Sequence, residues 1–200
     1  VKVFELFCEP DGNFPNHEPN PSKEENLRKL KEEVRESRAD LGFAYDGDGD
    51  RVMVMNREGK IIRTQTIFSI FIKNALKECP KGKIVYTPLD SKAIEDTILS
   101  NGGIPILCKV GHTYITRKMI EEKACLGGEI SGHYYFKETY GADDALFASM
   151  KLIEVLINSG KKLEDYEKEL PKYFSAVSEG LRFPIKRGKK FSPFSILVLQ

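Results

Sequence analysis

The chain has 200 residues, of which 40% are hydrophobic, and its 31 Lys and Arg nearly balance its 30 Asp and Glu. Length and hydrophobic content predict a packed protein with one α/β domain and part of another. The net charge of +1 excludes a global positive electrostatic field that would attract nucleic acid or an acidic membrane surface. No apolar run is long enough to span a membrane. Four scattered cysteines without a CxxC pair indicate reduced thiols and a cytoplasmic location.

The first third of the chain predicts a strand, a loop, a helix and a hairpin. Residues 1–7 form an apolar run of strand type, and a proline-rich loop follows to residue 21. Ser22 and Glu25 have the spacing of a capping box, which predicts a helix that continues to Arg38. Two predicted strands, 41–45 and 51–56, then flank a short loop of alternating Asp and Gly.

From residue 61 onward the predicted elements alternate between strand and helix. The predicted helices cover 66–77, 91–101, 113–122 and 143–158. The predicted strands between them are 83–87, 104–108, 124–126 and 134–136. This βαβ pattern predicts an α/β fold with a largely parallel sheet covered by helices, and a polar turn near 56–64 indicates a domain boundary.

The acidic loop, DGDGDR at 46–51, predicts a site for a hard divalent cation. Its glycines let the backbone curl until Asp46, Asp48 and Asp50 face one centre, where they would repel one another unless a cation is bound. Oxygen ligands favour Mg²⁺. An EF-hand is excluded, because it needs Gly at the sixth position and Glu at the twelfth, and Arg51 and Arg57 stand there. The alternative is a solvated hairpin turn.

Two further glycine-containing segments carry histidines. The first is KVGHT at 109–113, which we call the 109–113 turn. It lies where a strand passes into a helix, so its backbone N–H groups could receive an anion. A plain turn explains this segment equally well. The second is GGEISGH at 127–133, which we call the 127–133 loop. It brings Glu129, Ser131 and His133 together, and this combination suits a ligand rich in hydroxyl groups. A tight turn with solvent-facing polar residues is the alternative.

Four stretches in this order resemble the α-D-phosphohexomutase family: PDGNFPNHEPNP at 10–21, the acidic loop, the 109–113 turn and the 127–133 loop. The likeness covers about residues 1–185. It implies three-layer helix-sheet-helix domains with mixed, largely parallel sheets. Residues 1–58 resemble the end of the second family domain and 59–180 the third. Residues 181–200 resemble the start of a linker toward a fourth domain, with an unusual end.

The resemblance also implies roles for individual residues. Asp46, Asp48 and Asp50 would bind Mg²⁺, and Arg51, His112 and His133 would take part in phosphoryl transfer. Substrate contacts are implied for seven residues, Lys109, Gly111, His112, Glu129, Ser131, Gly132 and His133. The implied reaction moves a phosphoryl group between the 1- and 6-positions of mannose or glucose phosphate, through a phosphoserine and a 1,6-bisphosphate.

Two segments that the implied reaction requires have no counterpart in this sequence. No Ser-His-Asn-Pro segment for the phosphoserine occurs, and no phosphate-clamping loop of a fourth domain is present. The family likeness therefore implies that this polypeptide needs domains 1 and 4 of the same enzyme and is inactive alone. The phosphomannomutase/phosphoglucomutase branch fits best. Phosphoglucosamine mutase is an alternative, as is a noncatalytic module that binds Mg²⁺ or sugar phosphate.

Overall fold

The computed structural model describes residues 1–9 and 11–170, in which helices and strands alternate along most of the chain. The helices of these residues are α1 Arg28–Ser37, α2 Thr64–Glu78, α3 Lys92–Ser100, α4 His112–Glu122, α5 Ala145–Ser159 and α6 Leu163–Glu169. The strands are β1 Leu41–Tyr45, β2 Val52–Asn56, β3 Ile61–Ile62, β4 Lys83–Tyr86, β5 Ile104–Leu107, β6 Leu126–Gly128 and β7 Tyr134–Phe136. Within this part of the chain, every helix is too short or too polar to cross a membrane.

The first sheet is an antiparallel meander in the order β1-β2-β3, with α1 packed against it. β1 pairs with β2 over the full length of both strands, so the acidic loop joins them at one end of the hairpin. Leu27, Val34 and Met55 form a small core between helix and sheet. Gly42 of β1 permits this close packing, because a Cβ there would lie 2.7 Å from Cγ2 of Val34.

The second sheet has the order β5-β4-β6-β7 and lies between two layers of helices. β4 runs parallel to both of its neighbours, and β7 forms an antiparallel edge. Adjacent side chains of β4 point to opposite faces: Ile84 packs in the core formed with α2, α3 and α5, whereas Val85 packs against Ile115 and Met119 of α4. This arrangement confirms the predicted α/β class with a mixed, largely parallel sheet between helices.

The acidic loop and β2 connect the first sheet to the second unit. The backbone N–H of Val52 donates to the carbonyl of Gly132 at 3.2 Å, which ties β2 to the 127–133 loop. The N–H of Ala145, at the start of α5, donates to the carbonyl of Gly49 at 3.1 Å. Val52 also lies in the main core around the second sheet. These contacts fix the acidic loop against the elements that carry the second group of predicted site residues.

The strand predicted for residues 1–7 is not formed. These residues are mostly exposed, with 94% of Val1 and 74% of Val3 accessible, and none of the described strands pairs with them. An apolar run becomes a strand only where a neighbour supplies hydrogen bonds and a surface to cover its side chains. The prediction from local pattern was therefore wrong.

The capping box predicted at Ser22 and Glu25 is also absent. A short 3-10 helix precedes α1, and its N-cap is Lys23, which makes no side-chain capping bond. The backbone N–H of Ser22 instead donates to Oδ1 of Asn20 at 3.1 Å. The Asn20 side chain thus organises the turn into this helix, as Asn commonly does in turns.

The end of the described chain contains one element that the pattern did not predict. α6 has a strongly charged sequence, yet it buries Leu163 and Tyr166 in the main core. β3 lies after residue 58, the predicted end of the first domain, and pairs with β2. The domain bounds 1–58 and 59–180 remain predictions, and the predicted linker at 181–200 lies outside the described residues.

Candidate active site

The acidic loop curls so that its three carboxylates face one centre. Oxygens of Asp46, Asp48 and Asp50 lie within 4.8 Å of one another. Asp46 Oδ1 accepts the backbone N–H groups of Asp50 and Arg51, each at 3.1 Å. Gly49 has a φ of +75°, which residues with a side chain rarely adopt. The geometry has the curl expected from the alternating glycines, whereas the bound metal remains a prediction.

Arg51 lies directly against the acidic loop. Its Nε donates to Asp46 Oδ2 at 2.5 Å, and the Asp46 side chain is only 3% exposed. Burial disfavours the charged carboxylate, but the hydrogen bonds from Arg51 hold the pKa of Asp46 below its usual value. The guanidinium has further N–H donors, so an anion could share this corner with the cation site.

Asp50 has a buried oxygen that is not satisfied. In the part of the chain that the structure describes, Asp50 Oδ1 has no hydrogen-bond partner, although His133 Nε2 lies 3.3 Å from it. Burial raises the pKa of Asp50, His133 opposes this, and the neighbouring Asp46 and Asp48 raise it further. A dication would offset both the burial and the repulsion. The all-oxygen donor set therefore fits Mg²⁺.

The 127–133 loop joins β6 to β7 and places Glu129 in the interior. Glu129 is 4% exposed, and both of its oxygens have partners. Oε1 accepts the backbone N–H of Gly111 at 3.0 Å, and Oε2 accepts the hydroxyl of Tyr135 at 3.1 Å. The carboxylate therefore links the 127–133 loop to the 109–113 turn as well as facing the candidate site.

His133 is the residue at which the loops meet. Its Nδ1 lies 2.7 Å from Ser131 Oγ and 3.3 Å from Glu129 Oε2, while its Nε2 faces Asp50. Its backbone forms an isolated antiparallel bridge with Arg51. Although the residues are far apart in sequence, the acidic loop and the 127–133 loop are thus in direct contact.

The 109–113 turn lies at the edge of the cluster formed by the acidic loop and the 127–133 loop. Gly111 is the N-cap of α4 with a φ of +120°, and His112 is the first residue of the helix. The His112 side chain is 66% exposed, and its Nδ1 lies 3.9 Å from Oδ1 of Asp143. Lys109 is also exposed, with Nζ 5.7 Å from the centre of the Tyr114 ring. These two side chains border the cluster rather than lying inside it.

Two residues of the cluster were not predicted from the sequence. Asp143 is 9% exposed in its side chain and offers an oxygen within 4.8 Å of ligand atoms of Asp50 and His133. Tyr135 lies beneath Glu129 and forms a backbone bridge with Asp143. The pair of aspartates before α5 was the one available signal for Asp143, and it equally fits the helix cap that Asp144 provides.

The chain matches two family models that are adjacent in sequence. Residues 1–59 match "Phosphoglucomutase/phosphomannomutase, alpha/beta/alpha domain II" and residues 63–174 match domain III of the same description. A "Phosphomannomutase/phosphoglucomutase" from Pseudomonas syringae pv. tomato is 39% identical over 171 residues, which are 85% of this chain and 37% of the relative. The chain therefore spans less than half the length of this relative.

Solved structures show the same similarity. A "Phosphoglucomutase/phosphomannomutase family protein" from Burkholderia thailandensis superposes with a TM-score of 0.81 at 35% identity, covering 87% of this chain and 38% of that one. N-acetylphosphoglucosamine mutase from Aspergillus fumigatus, solved with GlcNAc-6P and magnesium, matches with a TM-score of 0.51 at 14% identity. That match covers 64% of this chain and 32% of the other, and it shows a shared fold.

Proposed function

Because the chain belongs to the phosphoglucomutase/phosphomannomutase family, we propose that it is part of a phosphohexomutase, an isomerase that transfers a phosphoryl group within a hexose phosphate. The supporting observation is the contact between the acidic loop and the 127–133 loop, where Asp50 Oδ1 lies 3.3 Å from His133 Nε2. A cation site and a group of hydroxyl-binding side chains are thereby adjacent, as transfer to or from a sugar oxygen requires.

In this proposal Asp46, Asp48 and Asp50 hold Mg²⁺. The ion, when bound, supplies positive charge to a transferring phosphoryl group. Arg51 adds guanidinium donors beside the same group, and its bond to Asp46 fixes its position. The protein contributes placement and electrostatics, which carry most of the catalysis in phosphoryl transfer.

The sugar and its phosphate are proposed to bind between the 127–133 loop and the 109–113 turn. Glu129 and Ser131 would hold sugar hydroxyls, and His133 would exchange a proton with the reacting oxygen. Exposed Lys109 and His112, together with the backbone at Gly111 and Gly132, would contact the phosphate and the rest of the ligand. The proposed ligands are mannose or glucose 1- and 6-phosphates and the corresponding 1,6-bisphosphate.

The proposal assigns the phosphoserine and the second phosphate clamp to other domains of the same enzyme. The chain alone is then expected to bind Mg²⁺ and hexose phosphate without turning the sugar over. We further propose a cytoplasmic location, for which the four free thiols at Cys8, Cys79, Cys108 and Cys125 are the support.

A complementation assay tests the function. Conversion of mannose 1-phosphate to mannose 6-phosphate is measured for the chain alone, and again after addition of a phosphorylated first-domain fragment and a fourth-domain fragment. We expect turnover only in the mixture, with no turnover when the chain carries Arg51→Ala. Turnover by the chain alone contradicts the assignment of the phosphoserine. Binding of the sugar phosphate without any restored turnover favours the noncatalytic module.

Substrate preference separates the two enzyme branches. Glucosamine phosphate is compared with mannose and glucose phosphates in the same mixture. Gly49 and Ile130 stand at positions where phosphoglucosamine mutases more often carry Ala and Gln, so we propose preference for the mannose and glucose phosphates. A higher kcat/KM for glucosamine phosphate favours the phosphoglucosamine mutase branch.

A further inference from the structure

Cys79 and Cys125 bring two thiols together at the end of the second sheet that lies away from the candidate active site. Cys79 is the C-cap of α2, and Cys125 directly precedes β6. Glu129 follows the opposite end of the same strand. The proposed mutase chemistry uses neither cysteine, so an inference about this pair is independent of the proposed function.

The two sulfur atoms border the same point beside Gly82. A Cβ at Gly82 would overlap Cys125 Sγ and would lie 3.2 Å from Cys79 Sγ. The two thiols are also close enough to form a side-chain hydrogen bond. The backbone holds both sides of this contact, because the N–H of Gly82 donates to the Cys79 carbonyl at 2.9 Å and the N–H of Cys125 donates to the Lys83 carbonyl at 3.0 Å. Glycine at position 82 thus leaves room for two adjacent sulfur atoms.

The two thiols differ in their access to solvent. Cys125 is 5% exposed and lies in the main core, whereas Cys79 is half-buried between the exposed residues Glu78 and Pro80. Burial, together with the adjacent Cys79, raises the pKa of Cys125 to about 12. A small oxidant therefore meets Cys79 first, since exchange requires a thiolate that the oxidant can reach.

We propose that Cys79 and Cys125 form a reversible redox site, at which a low-molecular-weight disulfide such as oxidised glutathione converts the two thiols into one intramolecular disulfide. In the first step the Cys79 thiolate attacks one sulfur of the oxidant, and the other half leaves as a thiolate. In the second step Cys125 gives up its proton to solvent, attacks Cys79 Sγ and displaces the second half of the oxidant. Two protein thiols are oxidised while one small disulfide is reduced to two thiols.

The site is selective because the other two cysteines lie elsewhere. Cys108 packs against α4 on the opposite face of the second sheet, and Cys8 lies in the exposed first segment. The proposed disulfide connects the end of α2 to the start of β6 and closes a loop that contains β4, α3, β5 and α4. Such a link restricts the unfolded chain, so we expect oxidation to raise the urea midpoint of unfolding.

Oxidation of the chain in glutathione buffers of increasing oxidised fraction tests the proposal. The remaining thiols are alkylated, and trypsin then releases residues 78–81 and 124–137 as the two peptides that carry Cys79 and Cys125. We expect these peptides to be linked in the monomer, with the loss of two thiols per chain, and to separate on reduction. Cys8→Ser is the control and should keep the link.

Two variants separate the steps of the exchange. Cys79→Ser should lose the link and the rise in urea midpoint. Cys125→Ala should leave Cys79 joined to glutathione as a mixed disulfide, because the second thiol is absent.

The peptide map of the parent chain decides the proposal even if one variant does not fold. A parent chain that shows no link between the two peptides at any glutathione ratio overturns the proposal, as does a link to Cys8 or Cys108 instead. Equal yield of the link in urea-unfolded chain also overturns it, since the native contact beside Gly82 would then play no part. A urea midpoint that falls on oxidation shows that the link does not fit the fold and has the same consequence.

Discussion

The carboxylate of Glu129 accepts the backbone N–H of Gly111 at 3.0 Å, so one side chain of the 127–133 loop fixes the turn that leads into α4. The second oxygen of the same carboxylate accepts the Tyr135 hydroxyl. A residue expected to recognise sugar hydroxyls is thus also a structural connection between two loops. Each carboxylate oxygen can accept a second hydrogen bond, so a sugar hydroxyl bound to Glu129 would lie beside the Gly111 N–H or the Tyr135 hydroxyl.

We predict that Glu129→Ala destabilises the chain substantially. The substitution leaves the part-buried Gly111 N–H without its acceptor, at a cost of about 1 to 3 kcal/mol, whereas the Tyr135 hydroxyl can donate to the neighbouring Asp143 instead. Glu129→Gln keeps one carbonyl acceptor and is expected to cost less. Urea unfolding measures both, with Glu58→Ala at an exposed position as control. Equal stability of Glu129→Ala and the parent chain contradicts the structural role.

Much of the second unit was predictable because its signals are local. Ser91 caps α3 through a bond from the Ala93 N–H, and Gly160 ends α5 with a positive φ of 64°. Such capping residues act within a few positions of the helix end, so sequence spacing reveals them. The apolar run at residues 1–7 has the local pattern of a strand but no pairing partner among the described strands.

The candidate site was predictable only in part, for the same reason. The glycines of the acidic loop predict its curl, and in the structure one oxygen from each of its three aspartates lies within 4.8 Å of the other two. The position of Asp143 beside Asp50 depends on how β7 and α5 pack against the hairpin of the first sheet, which joins residues nearly a hundred positions apart. The burial of Glu129 likewise depends on Gly111 from another loop. Spacing along one segment carries no information about such contacts.

Gly132→Ala is expected to destabilise the junction between the two loops. Gly132 has a φ of +97°, and a Cβ there would lie 2.9 Å from the carbonyl oxygen of Val52. The backbone conformation and the steric contact together predict a loss of about 2 to 4 kcal/mol in the free energy of unfolding.

Gly102→Ala separates these two contributions. Gly102 also has a positive φ, of +76°, but a Cβ there meets no atom of the described chain within 4 Å. Its substitution should cost only about 1 kcal/mol, the penalty of the left-handed backbone. Thermal or urea unfolding compares the two variants, and equal losses would show that contact with Val52 plays no part.

Asp48→Asn is expected to weaken Mg²⁺ binding without weakening the fold. Asp48 is exposed, yet it offers an oxygen to the same centre as Asp46 and Asp50. Removing one of three charges should raise the Kd for Mg²⁺ by about tenfold or more, since affinity for hard cations depends on the charge of the ligands. Calorimetry with Mg²⁺ measures the effect, and Asp40→Asn, at an exposed residue outside the acidic loop, serves as the charge-matched control. Unchanged affinity in Asp48→Asn would refute the assignment of the acidic loop as the Mg²⁺ site.

Asp90 is expected to make the stability of the chain depend on pH. Its Oδ2 accepts the N–H and the hydroxyl of Thr87, both at 2.8 Å, whereas Oδ1 is buried without a partner among the described residues. Burial raises the pKa of Asp90 from 3.8 to about 6, against the opposing effect of the bonds from Thr87. The folded chain therefore holds the Asp90 proton more tightly than the unfolded chain, and Asp90 lowers the free energy of unfolding as pH rises from about 4 to about 6.

The Asp90→Asn variant isolates this contribution, because an amide keeps an acceptor for Thr87 and does not titrate. A shift of about two pKa units corresponds to about 3 kcal/mol, so we expect Asp90→Asn to gain about 2 to 3 kcal/mol relative to the parent chain between pH 4 and pH 7. Urea unfolding across this range measures the difference, in which the titration of other carboxyl groups cancels. A constant difference between the two chains from pH 4 to pH 7 would show that Asp90 titrates in its usual range.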